Sequence, residues 1–200
     1  MRRMKFTTII CIALSILATS VFELYHMDAE AGSLRKRRTV AGNGSDVYAG
    51  KRSAIVSDTG QRAVSRGRSF YDDDGSATAV KSRRISDGSG NGRMKRKTAT
   101  TDQYGNATYE KTKAFHGAGG SSGGKNKQTT VNADGSIVRD SQSSYTGKNG
   151  TTVEGEGSFI RDEGGNLSGN KTITTTSADG TIQQHEVVYS PDSGWEKTTQ

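Results

Sequence analysis

Basic residues are the feature of this sequence best suited to chemistry with a partner. Three clusters stand in its first half, RKRR at 35–38, KSRR at 81–84 and RMKRK at 93–97. On a β-strand alternate residues share a face, so Arg93, Lys95 and Lys97 are expected to align. An aligned row of cations attracts a polyanion and releases its counterions on binding. The predicted anion-binding residues are Arg35, Lys36, Arg37, Arg38, Lys81, Arg83, Arg84, Arg93, Lys95, Arg96 and Lys97.

The charge is unevenly distributed along the chain. Residues 32–100 hold 16 Lys and Arg against 6 Asp and Glu, whereas residues 101–200 hold 9 against 12. The N-terminal half is therefore the expected binding half. The alternative interpretation is a solvated sheet surface whose lysines protect its edges from unwanted pairing.

Other kinds of chemistry find little support in the sequence. The three histidines, His26, His116 and His185, show no metal-ligand spacing, and the single cysteine, Cys11, lies in an apolar run. The acidic run Asp72–Asp74 has no bidentate Glu at the spacing of a calcium loop and is interpreted as part of a turn. No nucleophile motif is present. The sequence predicts a protein without enzymatic activity, metal or cofactor.

Glycine recurs every 15 residues and indicates the elements that position the basic clusters. Asp or Asn often precedes it, as in NADGS (132–136) and SADGT (177–181), and Asp-Gly between extended runs is typical of a hairpin turn. The turns at Gly75, Gly105, Gly135 and Gly165 are the more acidic ones, which suggests a true unit of 30 residues with two kinds of turn. The predicted turn glycines are Gly60, Gly75, Gly90, Gly105, Gly120, Gly135, Gly150, Gly165 and Gly180.

The segments between these glycines are about ten residues long and rich in Thr, Ser, Val, Ile and Tyr, which suits strands. The predicted fold is all-β: a repetitive antiparallel hairpin meander with a 15-residue period and a thin or absent core. A small β-solenoid is the alternative, in which one 15-residue column running from Phe70 through Ile85 to Ser190 would stack inward. Only 21 of the 169 residues after position 31 are Leu, Ile, Val or Phe, about 12%, so partial disorder is a further alternative.

The N-terminal segment has the features of a targeting signal. Arg2, Arg3 and Lys5 precede an uncharged apolar run at 6–22, and Ala29-Glu30-Ala31 resembles a cleavage site. We expect residues 1–31 to be a signal peptide or an N-terminal anchor, 32–54 a basic flexible lead, and 55–200 the β-repeat array. The mature chain is expected to be exported to the periplasm, the cell surface or the medium.

The stretch FYDDDGSATA (70–79) resembles the Tyr-Asp-x-x-Gly phrase of bacterial YD-repeat surface and toxin-shell proteins. The match falls on Tyr71, Asp72 and Gly75, and it covers the turn rather than the strands. Ser76 stands where that family typically has Arg. The resemblance implies a secreted, β-rich bacterial repeat protein and does not imply a toxin.

Two functions fit these features. The first is a secreted or cell-surface structural or adhesive repeat protein, which could assemble with itself head to tail or through edge strands. The second is a binding module for polyanions or cell-envelope glycans that uses the basic N-terminal half. Its partners would be anionic polysaccharide, lipopolysaccharide or extracellular DNA, and no small-molecule substrate is expected.

Overall fold

The computed structural model describes residues 33–43 and 46–198, which form a single sheet of twelve strands. The expected targeting segment, with Cys11 and His26, lies outside the described residues. The strands are β1 (Ser33–Asn43), β2 (Asp46–Val56), β3 (Arg62–Tyr71), β4 (Ala77–Ser86), β5 (Gly92–Thr101), β6 (Ala107–His116), β7 (Ser122–Val131), β8 (Ile137–Thr146), β9 (Thr152–Arg161), β10 (Leu167–Thr176), β11 (Ile182–Ser190) and β12 (Gly194–Thr198).

The predicted antiparallel meander is confirmed. Each strand pairs only with its neighbours in sequence, so the order across the sheet is the order along the chain. All eleven pairings are antiparallel, as hairpins require. A solenoid would stack its strands in parallel, and the described residues do not adopt that arrangement.

The sheet begins earlier in the chain than the sequence analysis expected. Residues 32–54 were expected to form a flexible lead, but Ser33–Asn43 and Asp46–Val56 are strands β1 and β2, paired over eleven residue pairs. Residues 44 and 45 connect them, and Gly44 stands one residue before the position that the 15-residue spacing would give. β2 pairs with β3 in the same register as the later neighbouring strands, so it extends the same ladder. β1 pairs with β2 in turn. The β-formers Thr39, Val40 and Tyr48 in these strands suit that role.

The nine predicted turn glycines all have positive φ, between 79° and 89°. In each of these turns the amide of the first residue donates to the carbonyl of the fifth. In eight of the nine the glycine N–H also donates to the carbonyl three residues back; the turn at Gly90 instead has a second positive-φ glycine, Gly88. A tight turn followed by a left-handed glycine is the usual form of a three-residue hairpin loop. Fixed five-residue turns between ten-residue strands produce the 15-residue period.

Aspartate closes these turns in two ways. In the first, Asp at the first position accepts from both the backbone and the side-chain amide of Asn at the fifth, as in Asp102 with Asn106 (2.9 and 2.7 Å). In the second, Asp at the third position accepts from the backbone N–H of the fifth residue, as in Asp134 with Ser136 (2.8 Å). Both arrangements favour the ionised carboxylate, so the pKa of each of these two aspartates lies below its ordinary value.

Both faces of the sheet are open to solvent. Among the described residues only Ala63 and Ala79 are buried apolar side chains, each 5% exposed. Residues 33–43 and 46–198 form a single layer and supply no second element for it to pack against. Its stability must come from the backbone ladders and from side-chain pairs between neighbouring strands.

Aromatic side chains provide some of these pairs, and they do so across glycines. Phe115 on β6 and Tyr145 on β8 stack with ring centroids 6.1 Å apart, over Gly123 of the intervening strand β7. A Cβ added at Gly123 would lie 2.7 Å from the Phe115 ring. This close approach requires glycine and lets aromatic rings two strands apart meet.

The residues at one 15-residue position, which the solenoid alternative would stack in a single column, form two columns in the meander, one on each face. Successive strands run in opposite directions, so a position near the end of one strand returns near the start of the next. We call each edge of the sheet at which the strands end in turns a rim. Phe70 and Thr100 are therefore on one face near one rim, whereas Ile85 and Phe115 are on the other face near the opposite rim. Equivalent positions recur every 30 residues, which confirms the suggested two-strand unit.

Candidate anion-binding face

The register of the sheet assigns every strand residue to a face. Residues paired across neighbouring strands share a face, and alternate residues along a strand do too. We call a set of residues matched across successive strands a row. Because the pairings from β1 to β12 contain no slip, each row runs straight across the sheet.

All the lysines in the described strands lie on one face, which we call the lysine face. They are Lys36, Lys51, Lys81, Lys95, Lys97, Lys111, Lys113, Lys125, Lys127, Lys171 and Lys197. Five arginines share this face: Arg38, Arg83, Arg93, Arg139 and Arg161. None of the Asp and Glu residues whose side chains the structure describes in strands lies there. The Lys, Arg, Asp and Glu side chains described on this face are therefore all cationic, and they come from every strand except β3 and β11.

The centre of the lysine face is a block of six lysines on three neighbouring strands. Lys95, Lys113 and Lys125 form one row, and Lys97, Lys111 and Lys127 form the row two residues away. Like charges directly opposite each other on paired strands are destabilising. The pKa of Lys111 is lowered, first by the neighbouring charge of Lys113 and then by desolvation and the other lysines around it. The pKa of Lys125 is lowered by desolvation and by nearby lysines.

Apolar and aromatic side chains flank this lysine block on both sides. Toward one rim lie Ile85, Phe115 and Tyr145, and toward the other lie Tyr109, Phe159 and Tyr189. A shallow open groove of about 540 Å³ lies between the lysines and the first of these stripes. Its charged lining comes from Arg83, Arg93, Lys95, Lys113 and Lys125, and Ile85 and Phe115 supply apolar walls. The groove thus combines cationic and apolar contacts.

The structure brings together seven of the eleven predicted anion-binding residues. Lys36, Arg38, Lys81, Arg83, Arg93, Lys95 and Lys97 lie on the lysine face, and the expected alignment of Arg93, Lys95 and Lys97 is confirmed. The other four, Arg35, Arg37, Arg84 and Arg96, lie on the opposite face because they occupy the alternate positions of the same strands. A basic cluster in a strand is therefore divided between two surfaces.

Sequence reasoning missed the lysines of the second half of the chain. Lys111, Lys113, Lys125 and Lys127 complete the central block although they lie in the half whose net charge is negative. The signal that could have found them is the Lys-x-Lys spacing, which occurs in β5, β6 and β7 in turn. Comparing the net charge of the two halves of the chain hid this pattern, because the acidic residues of the second half lie in turns and on the other face.

We call the opposite face the mixed face. Among the strand residues whose side chains the structure describes, its arginines occupy β1–β5 and its acidic residues occupy β6–β12. The arginines are Arg35, Arg37, Arg52, Arg62, Arg66, Arg68, Arg84 and Arg96, and the acids are Glu110, Asp140, Glu154, Glu156, Glu186 and Glu196. The charge polarity seen along the sequence therefore belongs to this face and to the turns, and it does not extend to the lysine face.

The remaining candidates for chemistry are dispersed. His116 lies on the mixed face and His185 on the lysine face. Within residues 33–43 and 46–198, no three His, Cys, Asp or Glu side chains are grouped as metal ligands. The described part of the chain also includes no helix of the length and hydropathy needed to cross a membrane.

Comparison of the chain with family models, with curated proteins and with solved structures gave no match.

Proposed function

We propose that this chain is an exported, non-enzymatic adhesive repeat protein whose lysine face binds linear polyanions. The observation that carries the proposal is that every lysine of the described strands lies on one face, and that no Asp or Glu whose side chain is described in a strand lies on that face. The lysine pairs of the central block repel each other in the free protein, and an anion laid over them converts that repulsion into attraction. Export is supported by the apolar N-terminal run and by the resemblance to secreted repeat proteins.

The arrangement favours an extended anion over a compact one. Strands of a sheet lie about 4.8 Å apart, so each row presents a cation at about that interval across β5, β6 and β7. The two rows of the block are two residues apart, about 7 Å along the strands. The lysine block is thus a straight track that crosses the strands at a right angle. A chain with regularly repeated negative groups, such as an acidic polysaccharide or a nucleic acid, can follow it.

The flanking stripes add a second kind of contact. Aromatic rings beside a cationic track can stack on the bases of single-stranded nucleic acids, and they also have an apolar surface for sugar rings. Phe115 and Tyr145 already form one such surface next to Lys113. Binding by this face is therefore expected to keep part of its affinity at salt concentrations that abolish purely ionic contacts.

The test compares two variants that lose the same charge. In the first, Lys95, Lys97, Lys111 and Lys113 on the lysine face are replaced by Thr; in the second, Arg52, Arg66, Arg84 and Arg96 on the mixed face are replaced by Thr. The probe is a short heparin oligosaccharide in solution, which is small enough for one sheet at a time, and its dissociation constant is measured as a function of salt.

We expect the lysine-face variant to bind at least about tenfold more weakly and to lose about one unit of salt slope for each anionic group no longer contacted. The mixed-face variant is expected to bind much like the wild type. Equal weakening of both variants would show that net charge alone attracts the probe and would overturn the proposal. Far-UV circular dichroism of both variants checks that the sheet is retained.

A further inference from the structure

The mixed face has a charge pattern that is complementary to itself. Among the strand residues whose side chains the structure describes, its arginines are confined to β1–β5 and its acids to β6–β12, and all of these side chains except Glu186 are exposed. A surface that is positive at one end and negative at the other matches a second copy of itself turned end for end. The lysine face offers no such match, because two uniformly cationic faces repel each other.

The register shows which symmetry would bring opposite charges together. A two-fold axis parallel to the strands, running between β6 and β7 in the plane between two sheets, places β1 over β12, β2 over β11 and so on inward. The same operation keeps each residue at its own height along the strand, so residues of one row lie over residues of that row. An axis perpendicular to the strands would instead place each strand over its own copy, with arginine over arginine.

Three pairs match under the first operation. Arg52 on β2 and Glu186 on β11 belong to one row, and Arg84 on β4 and Glu154 on β9 belong to another. The third pair is apolar: Val56 on β2 and Ile182 on β11 share a row near one rim. Both are unusually exposed for their type, at 39% and 66%. Each pair occurs twice in a two-fold assembly.

The geometry points to a symmetric dimer in which the mixed faces of two copies of this chain pack against each other. Ten-residue strands about 34 Å long and twelve strands about 4.8 Å apart give a face of roughly 1,900 Å². A stable interface needs about 800 Å² from each partner, so even half of the face suffices. Sheets packed in this way keep their strands within about 30° of each other, so rows stay best matched near the axis. Arg84 and Glu154 lie two to three strands from that axis, whereas Arg52 and Glu186 lie four to five strands from it.

This dimer is a different association from head-to-tail or edge-strand assembly. A two-fold interface is closed, because each copy uses the same patch, so it ends at two copies rather than growing into a filament. It also leaves both lysine faces pointing outward. If the lysine face binds polyanions as proposed above, the dimer would hold two polyanion chains at once; the dimer itself does not depend on that function.

Charge reversal tests the proposed pairing directly. The protein, purified after expression of residues 1–200, is studied by sedimentation equilibrium as wild type, Arg84→Glu, Glu154→Arg and the double variant. Arg83→Glu is the matched control, because it changes the net charge by the same amount at the neighbouring position of β4 but on the lysine face. Circular dichroism verifies that each variant keeps its sheet.

We expect each single reversal on the mixed face to weaken dimerisation by about tenfold or more, because like charges then meet at two symmetric places. The double variant restores opposite charges and is expected to return most of the affinity, which is the coupling that a double-mutant cycle measures. The control is expected to dimerise like the wild type. A monomeric wild type would overturn the proposal. So would equal effects of Arg84→Glu and Arg83→Glu, or a double variant no better than the singles.

Discussion

At the scale of single residues, the turns are where this sequence specifies its structure most strongly. A glycine with positive φ ends each regular turn, and an acidic or amide side chain often bonds the backbone beside it. These preferences are local, since they depend on the conformation of one residue and on hydrogen bonds within five. Sequence analysis could therefore predict all nine turn glycines. It could not predict that turn side chains also bond across the rim, as Asn106 does to the N–H of Ala133 at 3.0 Å.

The two neighbouring glycines Gly119 and Gly120 allow a test of the turn conformation. Gly120 has a φ of 86°, Gly119 is not in the positive-φ region, and a Cβ on either would meet nothing within 4 Å. Gly120→Ala is expected to destabilise the protein by about 1–2 kcal/mol, because an L side chain is strained in the left-handed region. Gly119→Ala is the control, with an expected change within about 0.5 kcal/mol. Urea unfolding of both measures the difference, and equal losses would contradict this account.

At the scale of strands, the 15-residue repeat could be predicted from the sequence. The face of the sheet on which each repeat position lies could not be predicted from that repeat alone. Phe70 and Ile85 occupy the same position in the repeat and yet lie on opposite faces. Whether they share a face depends on the direction of neighbouring strands, which spacing alone does not fix. Once the strands are known to be antiparallel, a ten-residue strand and a five-residue turn determine the face of every side chain.

This relation predicts what happens when a whole strand is removed. Deleting residues 107–121 removes β6 and the turn after it, and it turns β7 and all later strands over. Lys125 and Lys127 would then lie on the face opposite Lys95 and Lys97. The deletion is expected to bind the heparin oligosaccharide about tenfold more weakly than the variant Lys111→Thr with Lys113→Thr, which loses the same two lysines without inversion.

A second deletion is the control for shortening the sheet. Removing residues 137–166 deletes β8 and β9 with both of their turns, so every remaining strand keeps its direction and its face. This variant retains the whole lysine block and is expected to bind the oligosaccharide within about threefold of the wild type. If both deletions bound alike, the assignment of faces by register would be contradicted. A cooperative thermal melt of each variant shows whether the shortened sheet still folds.

At the scale of the whole molecule, function depends on which charges share a surface, and this is where prediction from the sequence was incomplete. The basic clusters pointed to an anion-binding surface, but Arg35, Arg37, Arg84 and Arg96 lie on the mixed face. The net charge of a segment of the chain sums residues from both faces and from the turns. It therefore concealed the lysines of β6 and β7. Lys-x-Lys spacing in successive strands carries the missing information only after the register is known.

The repulsion within the lysine block leads to a prediction about protons. The pKa of Lys111 is held below the ordinary value of about 10.4 by neighbouring lysines and desolvation, and the pKa of Lys125 by desolvation and neighbouring lysines. A bound polyanion adds negative charge next to these ammonium groups and so raises their pKa. At a pH between the lowered pKa of these lysines in the free protein and their raised pKa in the complex, the free protein has lost protons that the complex retains. Binding at that pH therefore takes up protons. At neutral pH both states are fully protonated and no uptake is expected.

Calorimetry can measure this uptake. Titration with the heparin oligosaccharide at about pH 10, in two buffers of different ionisation enthalpy, is expected to give different heats, whereas the same pair of titrations at neutral pH is expected to agree after correction for dilution. Lys113 makes the largest contribution to the lowered pKa of Lys111. The variant Lys113→Thr should therefore show a smaller uptake than Arg96→Thr, which removes a charge from the neighbouring strand on the mixed face. Equal uptake in these two variants would mean that the anion binds away from the lysine block.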